Sequence, residues 1–459
     1  MVTGNTLIEL GYKPAKWFGE AIEVANKKGL QGEELILFLE SSKPKPVKVL
    51  PLNSAPVSFH KNIRTESKEE EENVSSVIET MNVLMRTPTV VKGAVMPDAC
   101  PTGENGQIPV GGVVVTKNAI HPSMHSADMC CSVFATNMGK TDPKLVLDAA
   151  FETTQFGAGK RKEHHGWASI LTENKTLYDA ITGNYFTQDY IEKAMMHLGT
   201  QGDGNHFLFV GTSEQTGDTW MVTHHGSRGF GASVYKKGMA TAEKYRRKLS
   251  PNTLKRNAWI PYNEAEGELY WEAIQIVREW TKLNHSSIHQ RTLNKIKVPA
   301  IDSFWNEHNS VFKDGDLFYH AKGATPLLDK FVPDSSEGRR LIPLNMSEPV
   351  LIVKGEETEN NLGFAPHGAG RNISRTAHKK KKSKKTIDNI FAEETKYLDI
   401  RFYSGIVDIS ELPSAYKNAE AVQRQMEEYN LGKVIDKIMP YGCIMAGERP
   451  KDMPWRRSK

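Results

Sequence analysis

Cysteine is scarce in this chain. Its 459 residues hold four, Cys100, Cys130, Cys131 and Cys443, too few and too unevenly spread for a disulfide framework. That excludes the small stapled secreted folds and favours a reducing compartment. Long apolar runs are missing too: no stretch is long and apolar enough to span a bilayer, and the N-terminus lacks a basic flank and an apolar segment of signal-peptide type. The expectation is a cytoplasmic protein without a membrane anchor. Charge of one sign is also lacking. The formal net charge of +4 permits an anionic partner without demanding one. What the chain does have is material for a sizeable core, with 39% hydrophobic and 25% charged residues.

Residues 1–75 read as a small, partly helical N-terminal extension, with apolar residues at helical spacing over 17–26 and 32–39. Residues 42–56 are rich in Pro, Lys and Ser, as a linker or edge segment would be. The acidic run Glu69-Glu70-Glu71-Glu72 suits the first turn of a helix. From residue 90 short β-branched runs are separated by glycine, and strands are expected at 91–96, 111–116, 133–136, 207–210, 220–223 and 350–353. Helices are expected at 144–151, 189–198, 240–248, 264–284 and 415–429. The fold class is α+β, a single large mixed domain over residues 76–459 that carries its chemistry on loops.

Histidines cluster at glycine-rich turns. In Pro366-His367-Gly368-Ala369-Gly370-Arg371 small residues let the backbone close on a bound group, and the arginine can fork onto phosphate oxygens. A histidine held there can act as a nucleophile toward phosphorus. Asp128-Met129-Cys130-Cys131 places a carboxylate three residues before a thiol, at the entry to an apolar run. Hard oxygen and soft sulfur together favour a transition metal. His206, His224 and His320 each sit at a transition from strand to glycine. With Asp128 and Cys131 they can hold two ions, provided the thiolate bridges them. A buried cysteine beside a turn aspartate, or a lone structural histidine, is the commoner meaning of each motif taken singly. Arg228, Lys322 and Arg371 add cations suited to a polyphosphate or a nucleic-acid backbone. The basic run at 378–385 reads equally as a solvated flexible segment or as a phosphate-tracking patch.

Together these motifs resemble the RtcB family of RNA-splicing ligases. The resemblance runs from about residue 96 to 447. It rests on Met96-Pro97-Asp98-Ala99, the Asp128/Cys131 pair, Gly202-Asp203-Gly204-Asn205-His206-Phe207, His224-His225-Gly226-Ser227-Arg228-Gly229, Lys322-Gly323-Ala324-Thr325 after His320, and His367-Gly368-Ala369-Gly370-Arg371. It implies an RtcB-like catalytic domain and a Mn²⁺-dependent ligase, two ions being held by Asp128, Cys131, His206, His224 and His320. His367 would take GMP from GTP and pass it to an RNA 3'-phosphate or 2',3'-cyclic phosphate end, which then joins a 5'-hydroxyl. Asn205 and Arg371 would assist at the phosphates. The implied nucleotide-binding set is Asn205, His206, Phe207, Asn345, His367, Gly368, Ala369, Gly370 and Tyr416. The protein would be a monomer acting in tRNA splicing or RNA repair.

The chain departs from the family pattern in places. Cys100 stands where the family has histidine, Ser132 where it has glycine, and Ala321 where it has arginine. At positions that recognise guanine, Phe209 replaces an acid, Leu344-Asn345 replaces Gly-Ser, and Ala446 replaces lysine. Loss of that acid removes an acceptor for the base, which implies a relaxed nucleotide preference. Two other classes stay open on the residues alone. One is a metal-dependent phosphoesterase using water with the same ligands; the other is an RNA-binding paralogue that no longer catalyses. The donor set by itself does not choose between Mn²⁺, Zn²⁺ and Co²⁺.

Overall fold

A computed structural model describes residues 1–43, 49–159, 161 and 166–448. Residues 44–48 of the expected linker lie outside the described residues. The chain divides at 50/51 into a small unit, Met1–Leu50, and a large one, Pro51–Lys459. The small unit consists of helices Gly4–Glu9, Trp17–Lys28 and Gly32–Ser42, closed over Leu7, Phe18, Ala21, Ala25, Leu35 and Leu39. Gly29, at φ +64°, ends the second helix in the left-handed region that glycine adopts without penalty.

The expected boundary at residue 75 is therefore too late. Helix Lys68–Leu84 belongs to the large unit, because its apolar stripe of Val77, Met81 and Leu84 needs a partner. It finds one in Val90, Val95 and Val114 of a sheet. That sheet has five strands in the order His60–Lys61, Val90–Cys100, Val110–Lys117, Leu317–Lys322, Asn309–Asp314. A second sheet runs Asp302–Glu307, Ser132–Asn137, Thr219–His225, Phe207–Ser213, Lys433–Met445, Val350–Lys354, Arg340–Pro343, with Asp399–Phe402 parallel to Lys433–Met445. The α+β class stands, and each strand expected from β-branched runs is found in one of these sheets.

Two helices are longer than their periodicity suggests. Arg228–Leu249 begins twelve residues before the expected 240, passing through Gly229, Gly231 and Gly238. Gly238 is needed for packing, since a Cβ there would run into the Tyr270 ring of the crossing helix. That crossing helix, Ala265–Ile296, continues past 284 because His285, Ser287, Ile288 and His289 are all buried by the second sheet and its neighbours. The basic run is not a flexible segment. Ser374 caps helix Arg375–Lys382, its hydroxyl accepting from the Ala377 N–H at 3.2 Å. Its lysines pair with acids: Lys379 with Asp408 (3.0 Å), Lys382 with Glu394 (2.8 Å), and Lys385 beyond it with Glu393 (2.7 Å). Much of the patch is thus neutralised locally. Among the described residues, no helix is long and apolar enough to cross a membrane.

Candidate functional site

Strand register brings the donors together. Asp128 and Cys131 sit on a tight turn in which Cys130 adopts φ +53° and the Cys131 N–H returns to the Asp128 carbonyl at 3.3 Å. The chain then enters strand Ser132–Asn137, where Val133 lies opposite His224, and His224 lies opposite Phe207 on its other side. His206 directly precedes that third strand. The His308 N–H donates to the Cys131 carbonyl at 2.9 Å, which fixes the one-residue crossing from strand Asp302–Glu307 of one sheet to Asn309–Asp314 of the other against the same spot.

Two donor groups result, Asp128–Cys131–His206 and Cys131–His224–His308, each with its ligand atoms within 4.8 Å of one another. Cys131 belongs to both. Its Sγ lies 3.6 Å from His206 Nε2 and 3.2 Å from His224 Nε2, while His224 Nε2 lies 3.2 Å from His308 Nε2. Backbone carbonyls set the tautomers. His206 Nδ1 donates to the Gln201 carbonyl (2.8 Å) and His224 Nδ1 donates to the Asn205 carbonyl (3.2 Å). Each ring therefore presents Nε2 inward, that of His206 lying 3.0 Å from Asp128 Oδ2.

Burial keeps the rings neutral, pushing His224 down to about 3 and His308 well below the usual imidazole value. Burial would raise the Asp128 carboxyl, but His206 and Arg228 outweigh it and hold the group at about 2. Burial and the neighbouring Asp128 push the Cys131 thiol well up. A carboxylate, a thiol and three imidazole Nε2 atoms converge within reach of one another, as the ligands of a cation do. The set fits a transition metal, and a bound ion would favour the thiolate that burial disfavours.

His320, expected among the ligands, is in neither group. Its Nδ1 donates to the Phe318 carbonyl (3.2 Å), and its Nε2 accepts the His121 N–H (2.9 Å). Both nitrogens are engaged, and the ring is fully buried against His121. Strand alternation puts His320 on the face it shares with Phe318 and the helical core. The histidine that sequence reasoning missed is His308. Its signal is a His-Asn pair in a one-residue connection between two strands. Asn309 is itself tied in, donating to the Asp128 carbonyl (3.3 Å) and accepting from the Gly323 N–H (2.7 Å).

His367 follows strand Phe364–Pro366, with its ring centroid 4.9 Å from that of His308. Fully buried Asp98 accepts both the His367 backbone N–H (3.1 Å) and Nδ1–H (2.6 Å) on one oxygen. Nε2 is left for chemistry. Gly323, at φ +64°, permits this placement: a Cβ there would lie 3.0 Å from His367 Cε1.

A cavity of about 590 Å³ joins these parts. Asp128, Cys131, His224, His308, Asn205 and His367 line one end; Gly368, Ala369, Gly370, Arg371, Asn345 and Tyr416 also border it. Arg371 is held by the Ser410 carbonyl and the Glu411 carboxylate, each at 2.7 Å, and lies over the Tyr416 ring at 4.6 Å. Lys322 lines the cavity and donates to the Ile108 carbonyl (3.1 Å); burial lowers it to about 8. Arg228 instead turns to Thr200 and Gly157, both at 3.3 Å. Apolar lining comes from Phe209, Leu344, Met346, Val350 and Met445, with Phe207 beside the His224 ring at 5.1 Å.

Known proteins share this sequence pattern. The RNA-splicing ligase RtcB of Escherichia coli (strain K12) is 27% identical over 382 residues, covering 76% of this chain and 89% of that protein. The tRNA-splicing ligase RtcB of Thermococcus kodakarensis is 24% identical over 434 residues, 79% and 89% of the two chains. That of Aeropyrum pernix is 25% identical over 418 residues, 74% and 86%. The profile of the family described as tRNA-splicing ligase RtcB matches residues 152–446, well over half of the sequence, so the chain belongs to the RtcB family.

Proposed function

We propose that this chain is a Mn²⁺- and GTP-dependent RNA ligase that joins RNA 3'-phosphate or 2',3'-cyclic phosphate ends to 5'-hydroxyl ends, as in tRNA splicing or RNA repair. The observation that carries the reading is His367. Its Nδ1–H is anchored on Asp98 and its other nitrogen has no hydrogen-bond partner among the described residues, in the cavity that Asp128, Cys131, His224 and His308 also line. A water-using hydrolase has no need of such a side chain.

His367 Nε2 attacks the α-phosphorus of the nucleotide, a P–N bond forms, and the bond to pyrophosphate breaks. The ring becomes cationic, and Asp98, accepting Nδ1–H at 2.6 Å, stabilises that charge. An oxygen of the RNA 3'-phosphate then displaces His367 from phosphorus, a cyclic end having first been opened by water. Last, the 5'-hydroxyl attacks the RNA phosphorus and expels GMP. Asp128, Cys131, His206, His224 and His308 would hold two Mn²⁺ ions, whose chemistry there would be to neutralise phosphate charge. Asn205 and Arg371 border the path of the phosphates.

Base selection is relaxed in this reading. The wall that would meet the base presents Phe209, Met346 and Met445. The carboxylate nearest in the lining, Glu411, has its oxygens taken by Arg371, Arg375 and Tyr416. GTP therefore competes with ATP on shape and stacking rather than on edge hydrogen bonds. Incubation with Mn²⁺ and either nucleotide labelled on the α-phosphate tests the reading. An acid-labile adduct mapping to His367, formed from both nucleotides, is expected. No adduct, with release of phosphate instead, would move the assignment to a phosphoesterase. Strict GTP dependence would remove only the relaxed base preference.

A further inference from the structure

Resting on that metal-binding reading, we infer that helix Ala265–Ile296 sets the donor geometry from behind the sheet, and that His285 is its chief positioning residue. Alternation separates the two faces. Cys131 and His224 point to the cavity, whereas their successors Ser132 and His225 point to the helix. His285 touches neither donor, yet it meets the next residue of both. Its Nε2 lies 3.0 Å from Ser132 Oγ, and its ring stacks on His225 with centroids 3.5 Å apart.

With the Ser132 proton on the Cys130 carbonyl, the protons along the rest of this buried row take one order. Ser132 Oγ donates to the Cys130 carbonyl (3.0 Å), so it accepts from His285 Nε2–H. His285 Nδ1 then accepts from the Thr223 hydroxyl (2.7 Å), and that hydroxyl oxygen accepts from His289 Nε2–H (2.8 Å). His289 Nδ1 accepts in turn from the Thr136 hydroxyl (2.7 Å). Each partner has one role left and fills it, so neither strand can slip relative to the other without orphaning a buried group.

The same helix braces two further donors, His206 and His308. Asn284 accepts the Gly199 N–H (2.5 Å) and donates to the Thr200 carbonyl (3.0 Å), holding the segment whose next residue, Gln201, fixes His206. Arg278 pairs with buried Glu307, which directly precedes His308. One helix thus addresses the neighbourhood of Cys131, His206, His224 and His308.

The test strips the full chain of metal and titrates it with Co²⁺, reading the thiolate-to-cobalt absorption band. His285→Leu is expected to bind Co²⁺ roughly ten- to a hundred-fold more weakly, with a shifted band. His285→Gln, which can still donate to Ser132 and accept from Thr223, should recover most of the affinity. Leu293→Ala, a core truncation further along the same helix, should lower the melting temperature and leave Co²⁺ affinity unchanged. If His285→Leu does not fold, Ser132→Ala replaces it, with a several-fold loss expected. Native affinity and an unshifted band in folded His285→Leu or in Ser132→Ala would overturn the inference, as would an equal loss in Leu293→Ala. Absence of the band in the unaltered chain would instead sink the metal reading itself.

Discussion

The two ends of the cavity are built on opposite terms. At the donor end, strands and the short turns that join them fix the donors, and each inward-facing nitrogen of His206 and His224 is oriented by a carbonyl behind it. At the apolar end, Leu344 and Met346 come from a loop and Phe209, Val350 and Met445 from strands, with contact by shape alone. A polar site tolerates little substitution, because any change strands a buried charge or lone pair. An apolar wall can exchange one side chain for another at modest cost. In the proposed function, chemistry is held at the first end, and recognition can drift at the second.

The largest expected effect breaks the donor end. His367→Ala should abolish the covalent adduct and slow end joining by roughly 10³-fold or more while metal binding persists, as checked by α-label transfer and Co²⁺ titration. Next comes the contrast between two histidines. His308→Ala should weaken metal binding about 10- to 100-fold and stop adduct formation, as Cys131→Ala should also do. His320→Ala should lower stability by about 1–3 kcal/mol, since it strands the His121 N–H, and leave metal affinity near native. Equal metal loss in both histidine variants would reject the assignment of His308.

At the apolar end the effect is smaller. Phe209→Glu should shift the ratio of GTP to ATP labelling toward GTP by about ten-fold, at some cost in stability from the buried charge. An unchanged ratio would show that the base lies elsewhere. A further effect is global and belongs to no one site. Burial lowers His289 and His121 to about 3 and His125 to about 4, against an ordinary 6.5. The unfolded chain therefore binds more protons than the folded one between those values. Stability from these groups is complete above about pH 6.5 and is lost as pH falls through 4 toward 3. Urea midpoints across that range measure it.

Much of the donor end was legible in the sequence, because metal chemistry restricts residue type: Asp128, Cys131, His206 and His224 each announce themselves beside a turn. His308 did not, since a ligand in a one-residue strand connection carries no glycine to mark it. His320 misled for the reverse reason, the following Ala-Lys-Gly serving a strand end rather than an ion. Strands from β-branched runs were legible, whereas helix Arg228–Leu249 was obscured by glycines that answer to Tyr270 and not to local propensity. The row from Ser132 to Thr136 was invisible, because its partners lie 153 residues apart in the chain.

Glu411 has a consequence for how fast this protein meets its ligands. One buried carboxylate anchors two guanidiniums, Arg371 and the half-exposed Arg375, both on the rim of the cavity. Those three groups together carry one net positive charge, framed by low-dielectric walls. Polyanions should be drawn toward it from about a Debye length away, faster in dilute buffer than in strong salt.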